Sequence, residues 1–386
     1  MKDFVAKRIK KLAPSGIRQF FDLVLKTKDV VSLGVGEPDF VAPWNIREKA
    51  IYSLEQGYTS YTSNKGLLRL RLEIAYFLKK HYGLVYDAED EILITTGVSQ
   101  GLDLAVRAVV NPNDRVLIIY PCYVAYPAAV EIAGGRITGL YTKESEGFKI
   151  NLKELEAVLK KNKPKAMILN YPSNPTGVSY TREELKEINL ICAKHDVLVI
   201  SDEIYDLISY DYKQIPFATL KGAKSRTIYL NGFSKGYAMT GFRVGFACGS
   251  KQIIAQMAKI HSFVMLCAPI ISQLAAVEAL TSQKEVSLMI REYKRRRDYI
   301  TDELNQMGLR TILPQGAFYC FCSVKQTKLD SLEFAKKLLK EVKVAVVPGQ
   351  AFGSSYKDFI RISYACVFED LKEAISRIKK FKTKLS

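Results

Sequence analysis

Short apolar runs alternate with amphipathic stretches through the middle of the chain. EILITT (91–96) precedes GLDLAVRAVV (101–110), RVLIIY (115–120) precedes VAYPAAVEIAG (124–134), and KAMILNYP (165–172) precedes TREELKEINLICAKHD (181–196). VLVISDEIY (197–205), RTIYLNGFS (226–234) and VGFACG (244–249) follow. Apolar strands separated by helices of 3.6-residue periodicity predict a mostly parallel sheet covered by helices on both faces. Polar residues and glycines gather just after several strands, where open α/β sheets place ligands.

From about residue 281 the texture changes. A long charged helical stretch, VSLMIREYKRRRDYITDELNQM (286–307), leads into GAFYCFCSV, a second helix, VAVVPG, FIRISYA and a final helix. Fewer strands among helices predict a smaller α+β domain built from the two chain ends. The expected division is an N-terminal segment over 1–44 that joins the small domain, a large domain over 45–280, and a C-terminal small domain over 281–386. No internal repeat or low-complexity tract interrupts this plan.

Bulk composition narrows the function. The chain has 386 residues, 48% of them hydrophobic and 25% charged, in the ordinary globular range. No run of 18 apolar residues occurs and the N-terminus lacks an apolar signal core, so a cytoplasmic protein with no membrane span is expected. The formal charge of +17 reads as a lysine-rich surface. No basic stripe interleaved with aromatics marks a nucleic-acid reader. Seven cysteines without a C-x-x-C pair read as free thiols. The three histidines, His81, His195 and His261, are far apart, so neither a zinc site nor His-based acid–base chemistry is expected.

Four stretches carry chemistry. In NGFSKGYAMTGFRVGF (231–246) one lysine, Lys235, and one arginine, Arg243, stand in apolar, Gly-punctuated sequence with no acidic neighbour. Desolvation depresses a lysine's pKa and makes it a nucleophile toward carbonyl compounds. Ser234 and Arg243 are donors suited to a phosphate. Taken alone, the segment reads equally well as a strand-end loop with two solvated cations. Asp202 in SDEIY ends an apolar strand, where it would meet a cationic partner or cap a following helix. NYPSNPTGVSYTREEL (170–185) reads as strand, turn and helix start, with Thr181 and Glu184 at capping-box spacing. TTGVSQGLDLAV (95–106) places Ser99 at a helix N-terminus, which suits an anion.

GEPDF (36–40), YTSNKGLLRLR (61–71), PCYVAYP (121–127), SNPTG (173–177), SDEIY (201–205), GFSKGYAMTGFRVG (232–245), GAFY (316–319), VPGQAFG (347–353) and IRISYA (360–365) occur in this order. Together they resemble the fold-type-I pyridoxal phosphate (PLP) aminotransferases of the class I/II superfamily, in the branch holding aspartate- and aromatic-type enzymes. The resemblance spans nearly the whole chain. It implies that Lys235 bonds PLP and carries a proton between the substrate α-carbon and the cofactor's C4′. It implies that Asp202 pairs with the ring nitrogen, and that Asn174 and Tyr205 contact the phenolic oxygen. Ser234, Arg243, Ser99 and the amide of Gln100 would hold the phosphate. Tyr123 stands where the family often has a stacking tryptophan. Tyr61 would reach the neighbouring subunit's phosphate in a homodimer with shared active sites. Arg361 and Gly36, with Asn174, would hold the substrate α-carboxylate. The implied reaction moves an amino group from an L-amino acid to a 2-oxo acid, 2-oxoglutarate, by a ping-pong mechanism. A C–S β-lyase of the same fold would share the cofactor motifs, and a non-catalytic PLP-binding regulator would need a DNA-binding domain. Which amino acid enters is open, and Ile17 and Arg18 are the residues singled out for the substrate pocket.

Overall fold

The computed structural model describes residues 3–10, 12, 24 and 27–385. Ile17 and Arg18 lie outside the described residues. In chain order the strands are β1 (Val31–Ser32), β2 (Ile92–Thr95), β3 (Arg115–Tyr120), β4 (Arg136–Tyr141), β5 (Ala166–Asn170), β6 (Leu198–Asp202), β7 (Thr227–Gly232), β8 (Gly245–Cys248), β9 (Tyr319–Ser323), β10 (Val344–Ala345), β11 (Val347–Pro348) and β12 (Phe359–Ser363).

Seven of these strands form one sheet in the order β2-β8-β7-β6-β5-β3-β4. Strands β3 to β7 pair in parallel, and β8 runs antiparallel to both β7 and β2. The strands read as unbroken apolar runs because both faces are buried. Val116, Ile118 and Ile200 pack on one side with helices Gly97–Val109 and Lys251–Val264. Leu117, Met167 and Val199 point the other way, toward helices Leu152–Asn162 and Arg182–Lys194. The alternation follows from the two-residue period of a strand.

A three-stranded antiparallel sheet, β11-β12-β9, stands beside the larger one, and β1 pairs in parallel with β10. Arg361 lies mid-strand in β12, opposite Phe321 of β9 and Val347 of β11. Helices Gln283–Gln306, Ser331–Val342 and Phe368–Leu385 cover this layer and share one apolar cluster with it. Residues of the basic run 291–299 are not all solvated. Arg296 and Arg297 are buried in ion pairs with Asp39 and Asp211.

All seven cysteines are free, and Cys320 and Cys322 share one buried face of β9. Among the described residues no helix is long and apolar enough to cross a membrane. The capping box is present as the spacing requires. Glu184 N donates to Thr181 Oγ1 at 3.2 Å, and Thr181 N donates to Glu184 Oε2 at 2.8 Å. Replacing Thr181 by Ala removes one half of the box and is expected to cost about 1 kcal/mol. Urea unfolding checks this, with a lower midpoint at an unchanged slope.

Candidate active site

A cavity of about 560 Å³ opens at the carboxyl ends of the parallel strands. Chain order alone does not bring Lys235 and Arg243 together; strand pairing does. β7 and β8 run antiparallel with Gly232 opposite Gly245, so the intervening residues double back and set Ser234, Lys235 and Arg243 on one wall. The turn closes through a 3₁₀ segment, Thr240–Phe242, and Arg243 leaves it in the left-handed region at φ 52°. Gly245 serves packing here. A Cβ on it would stand 2.8 Å from the backbone nitrogen of Val98, so β8 can lie against the start of helix Gly97–Val109 only with glycine at this position.

That helix start forms one half of an anion cradle. Gly97 has φ +75°, and a Cβ on it would stand 2.7 Å from Arg243 Nη2, so the guanidinium lies directly over the first turn. The first-turn N–H groups have no intrahelical acceptor, and Ser99, Ser234 and Arg243 line the same space. Arg243 donates through Nη1 to Thr240 O at 3.0 Å, which leaves donors for an anion. Gln100 supplies its backbone to this turn, while its side-chain Oε1 accepts from Thr96 N at 2.6 Å.

Asp202 ends β6 and is 5% exposed. No helix follows it, because residues 204–207 form a turn, and its carboxylate receives two neutral donors. Tyr126 Oη donates to Oδ2 at 2.7 Å and Ile204 N donates to Oδ1 at 3.2 Å. Burial pushes the carboxyl up to about 6, against the pull of these hydrogen bonds. Tyr126 went unremarked in the sequence. Its signal was spacing, since it stands three residues after Tyr123 and the two rings meet edge to face at 5.7 Å.

Lys235 is half-buried, and its Nζ donates to Gly36 O at 2.5 Å. Burial lowers its pKa to about 8; Glu37 pulls it back up, while Arg361 and Arg243 push it down. Tyr205 faces the same space, and its hydroxyl lies 3.0 Å from that of Tyr319.

Arg361 is 3% exposed, and among the described residues no carboxylate pairs with it. It donates through Nη1 to Asn174 Oδ1 at 3.0 Å and through Nη2 to Gly34 O at 2.7 Å. Its guanidinium carbon lies 4.4 Å from the Tyr319 ring centroid, and its buried Nε has no hydrogen-bond partner among the described residues. A desolvated fork with a spare donor is suited to an incoming carboxylate.

Of the twelve residues that the resemblance assigns to cofactor or substrate, ten line this cavity: Gly36, Ser99, Tyr123, Asn174, Asp202, Tyr205, Ser234, Lys235, Arg243 and Arg361. Gln100 and Tyr61 do not, and Tyr61 is 81% exposed. Glu37, Asn170, Thr240 and Tyr319 also line it and were not recognised from the sequence. The residues present fit PLP. An amine of lowered pKa suits its aldehyde, a buried carboxylate without a cation suits a protonated ring nitrogen, and the cradle suits its phosphate.

The family model described as aminotransferase class I and II matches residues 28–378. A putative aminotransferase of Bacillus subtilis, YugH, is 47% identical over 99% of both chains. An aspartate aminotransferase of Pyrococcus abyssi is 42% identical over 97% of both. The solved structure of an aromatic aminotransferase from Pyrococcus horikoshii superposes with a TM-score of 0.90 at 41% identity, covering 96% of this chain and all of that one.

The raised Asp202 makes a signed prediction. An acid whose folded pKa exceeds its unfolded value destabilises the fold once ionised. Between its ordinary value of 3.8 and about 6, the cofactor-free protein should lose stability relative to Asp202→Asn. The gap should grow from pH 4 to pH 6 and level off above, at roughly 3 kcal/mol. Denaturant unfolding of both proteins across that range measures it, and a gap that does not change with pH would contradict it.

Proposed function

From the premise that the chain belongs to the class I and II aminotransferase family and is a PLP-dependent transaminase, we propose that its donor is an L-amino acid of the aspartate or aromatic type and its acceptor 2-oxoglutarate, in a ping-pong sequence. The observation that carries this reading is the convergence of Lys235, Asp202 and Arg361 on one cavity. The family names of its relatives support the two substrate types. A cytoplasmic location is part of the same proposal.

Each side chain has a definite task in this reading. When bound, PLP supplies an aldehyde that accepts amines and a ring that accepts the electrons released at the substrate α-carbon. Lys235 would hold the cofactor through Nζ, and the same amine would take the proton from the substrate α-carbon and later return one. With a pKa of about 8, a useful fraction of this amine is neutral near pH 7. Asp202 would hold a proton on the ring nitrogen, with Tyr126 keeping that carboxylate oriented. Asn174 and Tyr205 would hold the phenolic oxygen. Ser99, the Gln100 amide, Ser234 and Arg243 would hold the phosphate, and Tyr123 would pack on the ring. Arg361 takes the α-carboxylate with Gly36 N–H, which aims the α-hydrogen at Lys235.

A homodimer with shared sites belongs to this proposal. Tyr61 and Phe263 are 81% and 84% exposed, beside exposed Val264, Met265 and Leu266. Asn64 Nδ2 donates to Leu266 O at 2.7 Å, which ties the two segments into one apolar surface. A patch of this kind marks an interface, and a second copy seated on it would carry Tyr61 toward its partner's phosphate cradle.

Mixing the PLP-loaded enzyme with each amino acid in turn and following the cofactor absorbance tests the donor; keto-acid product separates transamination from β-elimination. Lys235→Ala should lower turnover by at least about 10²-fold to 10⁴-fold. The rate at which cofactor-free protein captures PLP should rise with pH and level off above about 8, well below the ordinary lysine value of 10.5. Sedimentation should give twice the chain mass, and Tyr61→Phe should weaken PLP retention without changing that mass.

A further inference from the structure

Residues 33–40 cross the mouth of the cavity, and their position is set from outside. Among the described residues, no backbone-to-backbone hydrogen bond holds positions 34–40. The first anchor is β-like: Leu33 N donates to Ala345 O at 2.8 Å and Ser363 N donates to Leu33 O at 2.7 Å. Between the ends the loop touches the reacting groups. Gly34 O accepts from Arg361, Gly36 O accepts from Lys235, and Glu37 Oε2 accepts from Thr240 Oγ1 at 3.1 Å.

The far end is held by charge. Arg296 Nη1 donates to both oxygens of Asp39, at 2.9 and 2.8 Å, and Arg296 Nε donates to Glu292 Oε1 at 2.9 Å. Tyr293 Oη adds a bond to Asp39 Oδ1 at 3.3 Å. Arg296 is 5% exposed and its guanidinium carbon lies 5.2 Å from the Phe40 ring centroid. The Phe40 ring in turn meets Tyr293 edge to face at 5.3 Å. Arg296, Glu292 and Tyr293 all belong to helix Gln283–Gln306. No group of this junction lines the cavity.

The two central contacts are made to donors that the reaction needs. Arg361 gives its donors to a substrate carboxylate, and Lys235 gives its amine to the cofactor. The Lys235 contact to the loop is lost when its amine is engaged. What then still fixes Gly36 is Leu33 at one end, Glu37 on Thr240 beside it, and Asp39 at the other end.

We propose that Asp39 and Arg296 form a positioning pair for the substrate's α-carboxylate: they hold the loop so that Gly36 stays in range of a carboxylate on Arg361. The inference rests on the reading of Arg361 as the carboxylate-binding residue. Neither partner of the pair touches substrate. Arg296 is buried while Asp39 stays partly exposed, and a part-buried pair of this kind contributes little net stability on its own. It is well suited to fixing one loop geometry, because the planar guanidinium forks between two carboxylates, Asp39 through Nη1 and Glu292 through Nε, which an ammonium cannot do in one fixed plane.

The test uses the PLP-loaded enzyme and two amine-free carboxylates, succinate and 3-phenylpropionate, with binding measured by calorimetry. Arg296→Lys keeps the charge and loses the forked contact; Asp39→Asn keeps the size and loses the charge. Each should weaken binding of at least one probe by about tenfold or more, since small misplacements of a positioning group are costly. PLP content and PLP dissociation should match wild type. The double variant should be no weaker than the weaker single, because both act through one contact. Binding within about twofold of wild type in both PLP-loaded single variants, or losses that simply add, would overturn the pairing. Loss of PLP in step with loss of carboxylate binding would also overturn it, by showing a general structural role. Arg361→Lys serves as the separate control. If it binds the probes as wild type does, the reading of Arg361 fails, whatever the Asp39 and Arg296 variants show.

Discussion

A buried guanidinium that meets no carboxylate among the described residues organises this protein. Arg361 sits mid-strand, walled by Tyr319 and Phe352, and gives its hydrogen bonds to neutral oxygens. Burying such a charge is expensive. The surrounding structure offsets the cost with Asn174 from the turn after β5 and with the carbonyl of Gly34. Both elements must therefore converge on β12, and the loop, the turn and the two sheets share one junction. Asp202 presents the same situation with the opposite sign, since its carboxylate is met by a phenol and an amide. Neither charge is quenched by the chain, so both remain available to a ligand.

The run SDEIYD shows how finely local placement separates like groups. Asp202 faces the cavity. Glu203, the next residue, points the other way into the core, where Ser201, Tyr171 and the Phe217 amide bond its Oε1. Burial lifts Glu203 to about 8, so it is largely neutral at pH 7. Asp206 accepts from Tyr82 and is lifted to about 6 by burial. Three acids within five positions thus have different tasks. The alternation of a strand end and the turn after it decides which one faces the cavity.

The scaffold places the reacting groups by strand geometry. Parallel strands end at one edge, so Asn170 and Asp202 arrive side by side from β5 and β6, and β7 runs on from Leu230, the partner of Asp202, to Gly232. The reversal of β8 returns Arg243 to that edge. The three-stranded sheet contributes Arg361 and Tyr319 from the opposite side, and loop 33–40 runs between the two. Arg361 on one side and Lys235 and Asp202 on the other consequently come from different sheets, and the loop that touches Lys235 and Arg361 links them.

Much of this was legible in the chain. Apolar runs of strand length, each followed by an amphipathic helix, determine a sheet with two covered faces, because local periodicity decides which side chains can be buried. Lys235, Asp202 and Arg361 stood out because each places a charged group where the surrounding pattern is apolar, whereas Asn174, in the polar turn SNPTG, stood out only through the resemblance. Tyr126, Glu37, Tyr319 and the Asp39–Arg296 pair did not stand out. A tyrosine in an apolar helix reads as core, and an arginine within REYKRRRDY reads as surface, until the fold shows what lies opposite. Those pairings join residues 76 and 257 positions apart, and separations of that size carry no periodic signal. The sequence by itself determined which groups could do the chemistry, since residue type and local pattern set intrinsic reactivity and burial. Tertiary structure alone decided which groups face one another, since hydrogen bonds and ion pairs depend on distances that only the packed sheets impose.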